Sequence, residues 1–132
     1  MYKGMISTQT PIDEYEDIPF VTVVNTNKKV SVKDGKVFFN KPGLYEITTE
    51  VVITNCNEGS IKLYLKANDG ALPDGVAADT FTEDDEFKTL TISNIIKIAR
   101  GTSAEAEKAS IVAMVSENCE IYRGYMTVKE IL

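Results

Sequence analysis

The residues that could do chemistry in this chain are carboxylates and two thiols. Glu83-Asp84-Asp85-Glu86 puts four acids in a row, and carboxylate oxygens suit hard cations such as Ca²⁺. The run lacks the glycine and the alternating spacing of a calcium loop, so it reads as a solvated loop tip. Two carboxylates can also share glycosidase work, but nothing marks a pair, and there is no tryptophan to form a sugar platform. Histidine is absent, which removes the Ser-His-Asp triad, the Cys-His pair and every imidazole metal ligand. Cys56 and Cys119 are too few for a disulfide framework or a zinc site. They could face each other across a sheet, and buried free thiols are the plainer reading. Gly35, Gly43, Gly70, Gly75, Gly101 and Gly124 stand singly, with no phosphate-cradling run and none of the glycine-rich motifs of trimeric dUTP hydrolases. The expectation is a protein that is not an enzyme and needs no cofactor or metal.

Composition narrows the partners. The 132 residues carry 14 Lys+Arg against 20 Asp+Glu, a net charge of −6, which argues against a nucleic-acid partner. Hydrophobic residues make up 43%, enough for a core in one domain of this length. No run reaches the roughly 18 apolar residues that span a bilayer, so no membrane partner is expected. Met1 to Thr8 hold no apolar signal region, so synthesis and assembly in a cytoplasm are expected.

The elements that must position these residues are strands. Residues 1–17 are polar and acidic, with Asp13, Glu14, Glu16 and Asp17 against Lys3, and read as an arm ahead of a domain over 18–132. From Ile18 the chain turns to β-branched runs: Ile18 to Val24, Val30 to Val32 and Val37 to Phe39. Asp34-Gly35 sits between the last two as a hairpin signal. Lys41-Pro42-Gly43 turns into the long run Leu44 to Ile53. Ile61, Leu63 and Leu65 alternate on one face, and Asn68-Asp69-Gly70 and Pro73-Asp74-Gly75 should end that strand. Residues 76–88 read as loop. Leu90 to Ile98, Ile111 to Val115 and Ile121 to Leu132 complete about eight strands. The stretch from Thr102 to Lys108 is helix-friendly but too short to stand alone. The fold class is all-β, a two-sheet sandwich with Greek-key or jelly-roll wiring.

Some apolar residues fall on the wrong face of these strands. With Ile61, Leu63 and Leu65 inward, Tyr64 points outward between Lys62 and Lys66. In the last strand Gly124, Met126 and Val128 share one face, and Tyr125 and Thr127 share the other. Ile95 opposes Ile96 in the same way. Scattered surface aromatics are ordinary; the alternative is a sheet covered on its second side by another subunit, where tyrosine is favoured.

The order of motifs resembles a known family. Val30-Ser31-Val32, Asp34-Gly35, Val37-Phe38-Phe39 and Lys41-Pro42-Gly43-Leu44-Tyr45-Glu46-Ile47 come first. Ile61 to Leu65, Ile95 to Gly101 and Gly124-Tyr125-Met126-Thr127-Val128 follow. Over 18–132 this is similar to the tumour-necrosis-factor-like and complement-globular-head jelly rolls. It looks closest to their bacterial and phage versions in virion fibres, decorations and spore-surface glycoprotein tips. The resemblance implies a ten-strand jelly roll assembled as a homotrimer, with Tyr64, Ile95, Tyr125 and Thr127 at the trimer interface. No Gly-X-Y stalk precedes the domain, which favours a virion component: a capsid decoration or head fibre. The arm, through Ile12, Tyr15 and Ile18, would then hook onto capsid or other virion proteins. A receptor-binding or surface-recognition module with a host ligand is the alternative, using exposed loops such as 69–87.

Overall fold

Alternation of apolar and polar side chains drives the chain into two facing antiparallel sheets. The computed structural model describes residues 1–33, 35–67, 70–98 and 109–131, with backbone alone for 70–74. The first sheet contains β1 (Tyr2–Ile6), β2 (Thr10–Ile12), β3 (Val21–Asn25), β6 (Gly43–Thr54), β9 (Lys88–Ile98) and β11 (Cys119–Glu130). Its order is β3-β1-β11-β6-β9, with β2 also paired to β11. The second sheet holds β4 (Val30–Lys33), β5 (Lys36–Phe39), β7 (Gly59–Ala67), β8 (Gly70–Phe81) and β10 (Ser110–Val115), in the order β4-β5-β10-β7-β8. Neighbours in sequence are often separated in space, as jelly-roll wiring requires.

The core lies between the sheets. Tyr45, Ile47, Val51 and Ile53 of β6 face Ile61, Leu63 and Leu65 of β7, all buried. Each such side chain contributes about 1.5–3 kcal/mol by leaving water. Tyr45 packs on Phe39 with ring centroids 4.7 Å apart, and its hydroxyl donates to the Lys41 carbonyl at 2.8 Å. The tight Lys41-Pro42-Gly43 turn is thereby tied to the strand it starts. Gly35, at a φ of 75°, turns the β4–β5 hairpin in a conformation that favours glycine; Asp34 lies outside the described residues.

Three readings of the sequence need correction. Residues 1–17 are not an arm. Strand β1 is internal to the first sheet, between β3 and β11, with Tyr2 opposite Val128 and Ile6 opposite Gly124. Tyr2, Ile6 and Ile12 alternate into the core, and that periodicity outweighs the acids at 13–17. Those acids form a tight turn pinned to β10, with Tyr15 N–H donating to Val115 O at 2.7 Å and Ile18 N–H to Ala113 O at 2.8 Å. Residues 76–81 are strand rather than loop, because β8 runs to Phe81. Pro73-Asp74-Gly75 does not end a strand either. Opposite Tyr64 to Lys66, β8 runs from Val76 back to Ala71, so the motif is absorbed as a bulge. The short stretch from Thr102 to Lys108 lies outside the described residues.

A second bulge sits in β11. Ile121 pairs with Ile53 and Arg123 with Val52, so Tyr122 is the extra residue. Before it the buried positions are Cys119 and Ile121; after it they are Gly124, Met126 and Val128. One inserted residue switches the inward set from odd to even numbers.

Two substitutions test this packing. A Cβ on Gly124 would lie 2.8 Å from the Glu50 carbonyl oxygen and 3.0 Å from Val51 Cγ1. Because a strand backbone cannot step aside locally, Gly124→Ala should cost about 1–3 kcal/mol, read as a lower urea midpoint. Thr49 is fully buried, and its hydroxyl has no hydrogen-bond partner among the described residues. Thr49→Val keeps the shape and removes that orphan, so stability should rise by about 1 kcal/mol in the same assay.

Candidate protein interface

The bulge at Tyr122 sets the outward face of the first sheet. From β11 it presents Tyr125 and Thr127, half-buried between buried neighbours. Hydrogen-bond register extends them into rows. Met5, Tyr125, Glu50 and Thr91 lie side by side across β1, β11, β6 and β9. The next row is Lys3, Thr127, Thr48 and Ser93, and beyond it Lys129, Glu46 and Ile95. Ile95 is 58% exposed on the edge strand β9, while Ile96 turns partly inward.

Polar groups on this face are held in place by their neighbours. The Lys3 ammonium lies 5.4 Å from the Tyr125 ring centroid, a cation–π distance. Thr91 Oγ1 donates to Glu50 Oε1 at 3.1 Å, and the Thr48 and Ser93 hydroxyls are 3.5 Å apart. A depression of about 240 Å³ opens beside Tyr125, lined by Met5, Val52, Glu50 and Arg123 among others. Next to Arg123 the Phe87 and Tyr122 rings pack with centroids 4.9 Å apart and a 55° tilt, both 43% exposed, and the Arg123 guanidinium lies 6.0 Å from the Tyr122 ring centroid. Aromatic and aliphatic groups among separated charges of both signs suit a protein partner.

The sequence-predicted interface residues do not all meet. Tyr125, Thr127 and Ile95 share this face. Tyr64 does not: β7 belongs to the second sheet, and Tyr64 lies on the opposite side of the sandwich. There its cross-strand neighbour is Met114, and the Tyr15 ring lies 6.3 Å away, so the cover comes from the same chain. Strand β10 is buried along its whole length for this reason, with Asp17 bridged to Met114. The predicted attachment residues fail as an exposed set. Ile12 is 3% and Ile18 1% exposed, and only Tyr15 is open. Sequence reasoning missed Met5, Val52, Phe87, Tyr122 and Arg123. The alternation of residues 2–6 would have found Met5; the bulge that exposes Tyr122 leaves no local signal.

The acidic run occupies the loop between β8 and β9. Asp85 accepts from Thr82 N–H at 2.8 Å and Thr82 Oγ1 at 3.0 Å, with Lys88 at 3.5 Å. Among the described residues no three thiols or carboxylates converge as metal ligands.

No family model matches the chain, and no curated protein matches it in sequence. Solved structures do match its fold. Eiger TNF from S. frugiperda superposes with a TM-score of 0.76 at 8% identity, over 99% of this chain and 90% of that one. Murine APRIL gives 0.70 at 7% identity, over 96% and 98%. PRD1 vertex protein P5 gives 0.64 at 16% identity, over 99% and 96%. The fold is a tumour-necrosis-factor-like jelly roll.

One prediction comes from the Thr82–Asp85 cap. Hydrogen bonds from Thr82, backbone first, hold the Asp85 carboxyl below its usual range. A carboxyl lowered on folding adds stability above its unfolded pKa, and that stability is lost as pH falls through the folded value. Asp85→Ala should therefore flatten the acid limb of thermal stability between neutral and acid pH, leaving the alkaline limb unchanged.

Proposed function

We propose that this protein is a non-enzymatic structural component of a virion, a homotrimer sealed through the outward face of its first sheet. The observation that carries the reading is the Tyr125 face: Tyr125, Met5, Val52 and Ile95 interspersed with hydroxyls and with charges of both signs, on a sheet whose other side is already filled. Likeness over nearly the full length to a vertex protein supports a virion role. Its finer form is a capsid decoration or head-fibre protein, assembled in a bacterial cytoplasm and contacting other virion proteins. The net charge of −6 speaks against nucleic acid as the partner. Among the described residues no helix is long and apolar enough to cross a membrane.

In this reading Tyr125, Thr127 and Ile95 meet copies of themselves around a three-fold axis. Lys3 and Glu50 flank Tyr125 with opposite charges, so neighbouring subunits can pair them rather than oppose like with like. Tyr64 has no part in it. A second reading, a surface-recognition module with the same trimer, is favoured by the likeness to Eiger TNF and APRIL. It differs in requiring a ligand outside the particle.

Light scattering at micromolar concentration should give three times the mass of one chain. Tyr125→Asp places three like charges together in a desolvated site and should yield monomers with an unchanged circular dichroism spectrum. Tyr64→Asp should remain trimeric. A monomeric wild type, or intact trimers of Tyr125→Asp, would overturn the assembly. Mass spectrometry of density-purified particles then separates the two readings of the role. The chain should travel with the particle at a fixed ratio to the capsid protein, and recovery only in the soluble fraction would favour surface recognition.

A further inference from the structure

The two cysteines meet at one end of the sandwich. Thr54, the last residue of β6, pairs with Glu120 of β11, and continuing that register would set Asn55 opposite Cys119. Asn55 instead takes a left-handed φ of 52°. The turn is held by the Asn55 amide donating to the Glu120 carboxylate, which also accepts from Gln9 Nε2 at 2.6 Å. The chain then folds back, so that Cys56 packs against the core cluster containing Cys119. The two thiols are free and within hydrogen-bonding reach of each other, and the Cys56 S–H donates to the Thr54 carbonyl at 3.7 Å.

Their surroundings differ. Cys119 is buried at 5% exposure, opposite Ile12. Cys56 is half-buried and lines a cleft of about 430 Å³ whose other walls include Glu58 and the run from Glu83 to Glu86. The Cys56 thiol borders solvent at this cleft, and Cys119 is buried behind the surface.

We propose that Cys56 and Cys119 form an oxidisable pair: Cys56 is the thiol attacked first, by a small uncharged peroxide, and Cys119 closes a disulfide onto it. In the first step the Cys56 thiolate attacks one peroxide oxygen, the O–O bond breaks, and Cys56 becomes a sulfenic acid as hydroxide leaves. In the second, the Cys119 sulfur attacks the Cys56 sulfur, the S–O bond breaks, and the hydroxyl departs as water with the Cys119 proton. The sum is two thiols and one hydrogen peroxide giving one disulfide and two waters.

Two features support the direction. The interaction with Cys119 lowers the Cys56 pKa, while the same interaction and burial raise that of Cys119, so the thiolate forms at the reachable sulfur. The acidic walls of the cleft repel anions and leave neutral reagents free to enter. A bond between 56 and 119 would join the end of β6 to the start of β11 and staple the sheet that carries the Tyr125 face. The inference stands whether or not the virion reading does.

The test uses the full chain, reduced and then freed of reductant. Hydrogen peroxide should remove both titratable thiols, and the intact mass should fall by two hydrogens with no covalent dimer. Cys119→Ser should instead trap a dimedone-reactive sulfenic acid at Cys56, and Cys56→Ser should leave Cys119 reduced on the same timescale. In Cys119→Ser, neutral dithiodipyridine should label Cys56 at least about tenfold faster than the dianionic dithionitrobenzoate, relative to free cysteine, with the gap closing in high salt. Two thiols surviving excess peroxide, a dimedone adduct on the wild type, or a disulfide between chains would overturn the proposal. Equal relative rates with the two aryl disulfides would overturn the charge selection.

Discussion

One extra residue in the last strand decides what this protein can offer a partner. The bulge at Tyr122 resets the alternation of β11, so that Gly124, Met126 and Val128 enter the core and Tyr125 and Thr127 leave it. Because β11 is hydrogen-bonded to β1, β2 and β6, a register error there would turn over the centre of the sheet. Gly124 is the other half of the device. With no Cβ, it lets the β6 backbone at Glu50 and Val51 approach where the strand resumes its new phase.

The two faces of the sandwich are finished differently. On the outer side of the second sheet Tyr15 partly covers Tyr64 while staying 58% exposed itself, and the Asp17–Met114 bridge holds its turn beside β10. The outer side of the first sheet has no such cover among the described residues, and Met5, Val52, Phe87, Tyr122 and Tyr125 lie on it or at its lower edge. The uncovered, half-apolar first-sheet face is the one proposed to be closed by sister copies.

Much of this was legible in the sequence. Strict alternation in Ile61 to Leu65 and the opposition of Tyr125 to Met126 are plain in the sequence, because a period of two needs only local sequence. The Pro42-Gly43-Leu44-Tyr45 turn and the Asp34-Gly35 hairpin were legible for the same reason. What was not legible was which strands share a sheet. Tyr64 and Tyr125 look alike locally, and only the non-local order β4-β5-β10-β7-β8 separates them. The N-terminus is hard to read because the acids at 13–17 dominate its composition, while only three alternating residues, Tyr2, Gly4 and Ile6, place β1 inside a sheet. Meeting of the two thiols depends on the left-handed Asn55, which a sequence does not announce.

The central claim is that the Tyr125 face is closed by sister copies while the Tyr15–Tyr64 side stays open. Hydroxyl-radical footprinting at micromolar protein, read by peptide mass spectrometry, addresses both sides in one sample. The account predicts strong protection of Tyr125 and Met5, with Tyr15 remaining reactive and the protection of Tyr125 lost on dilution to monomer. Equal labelling of Tyr125 and Tyr15, unchanged on dilution, would contradict it.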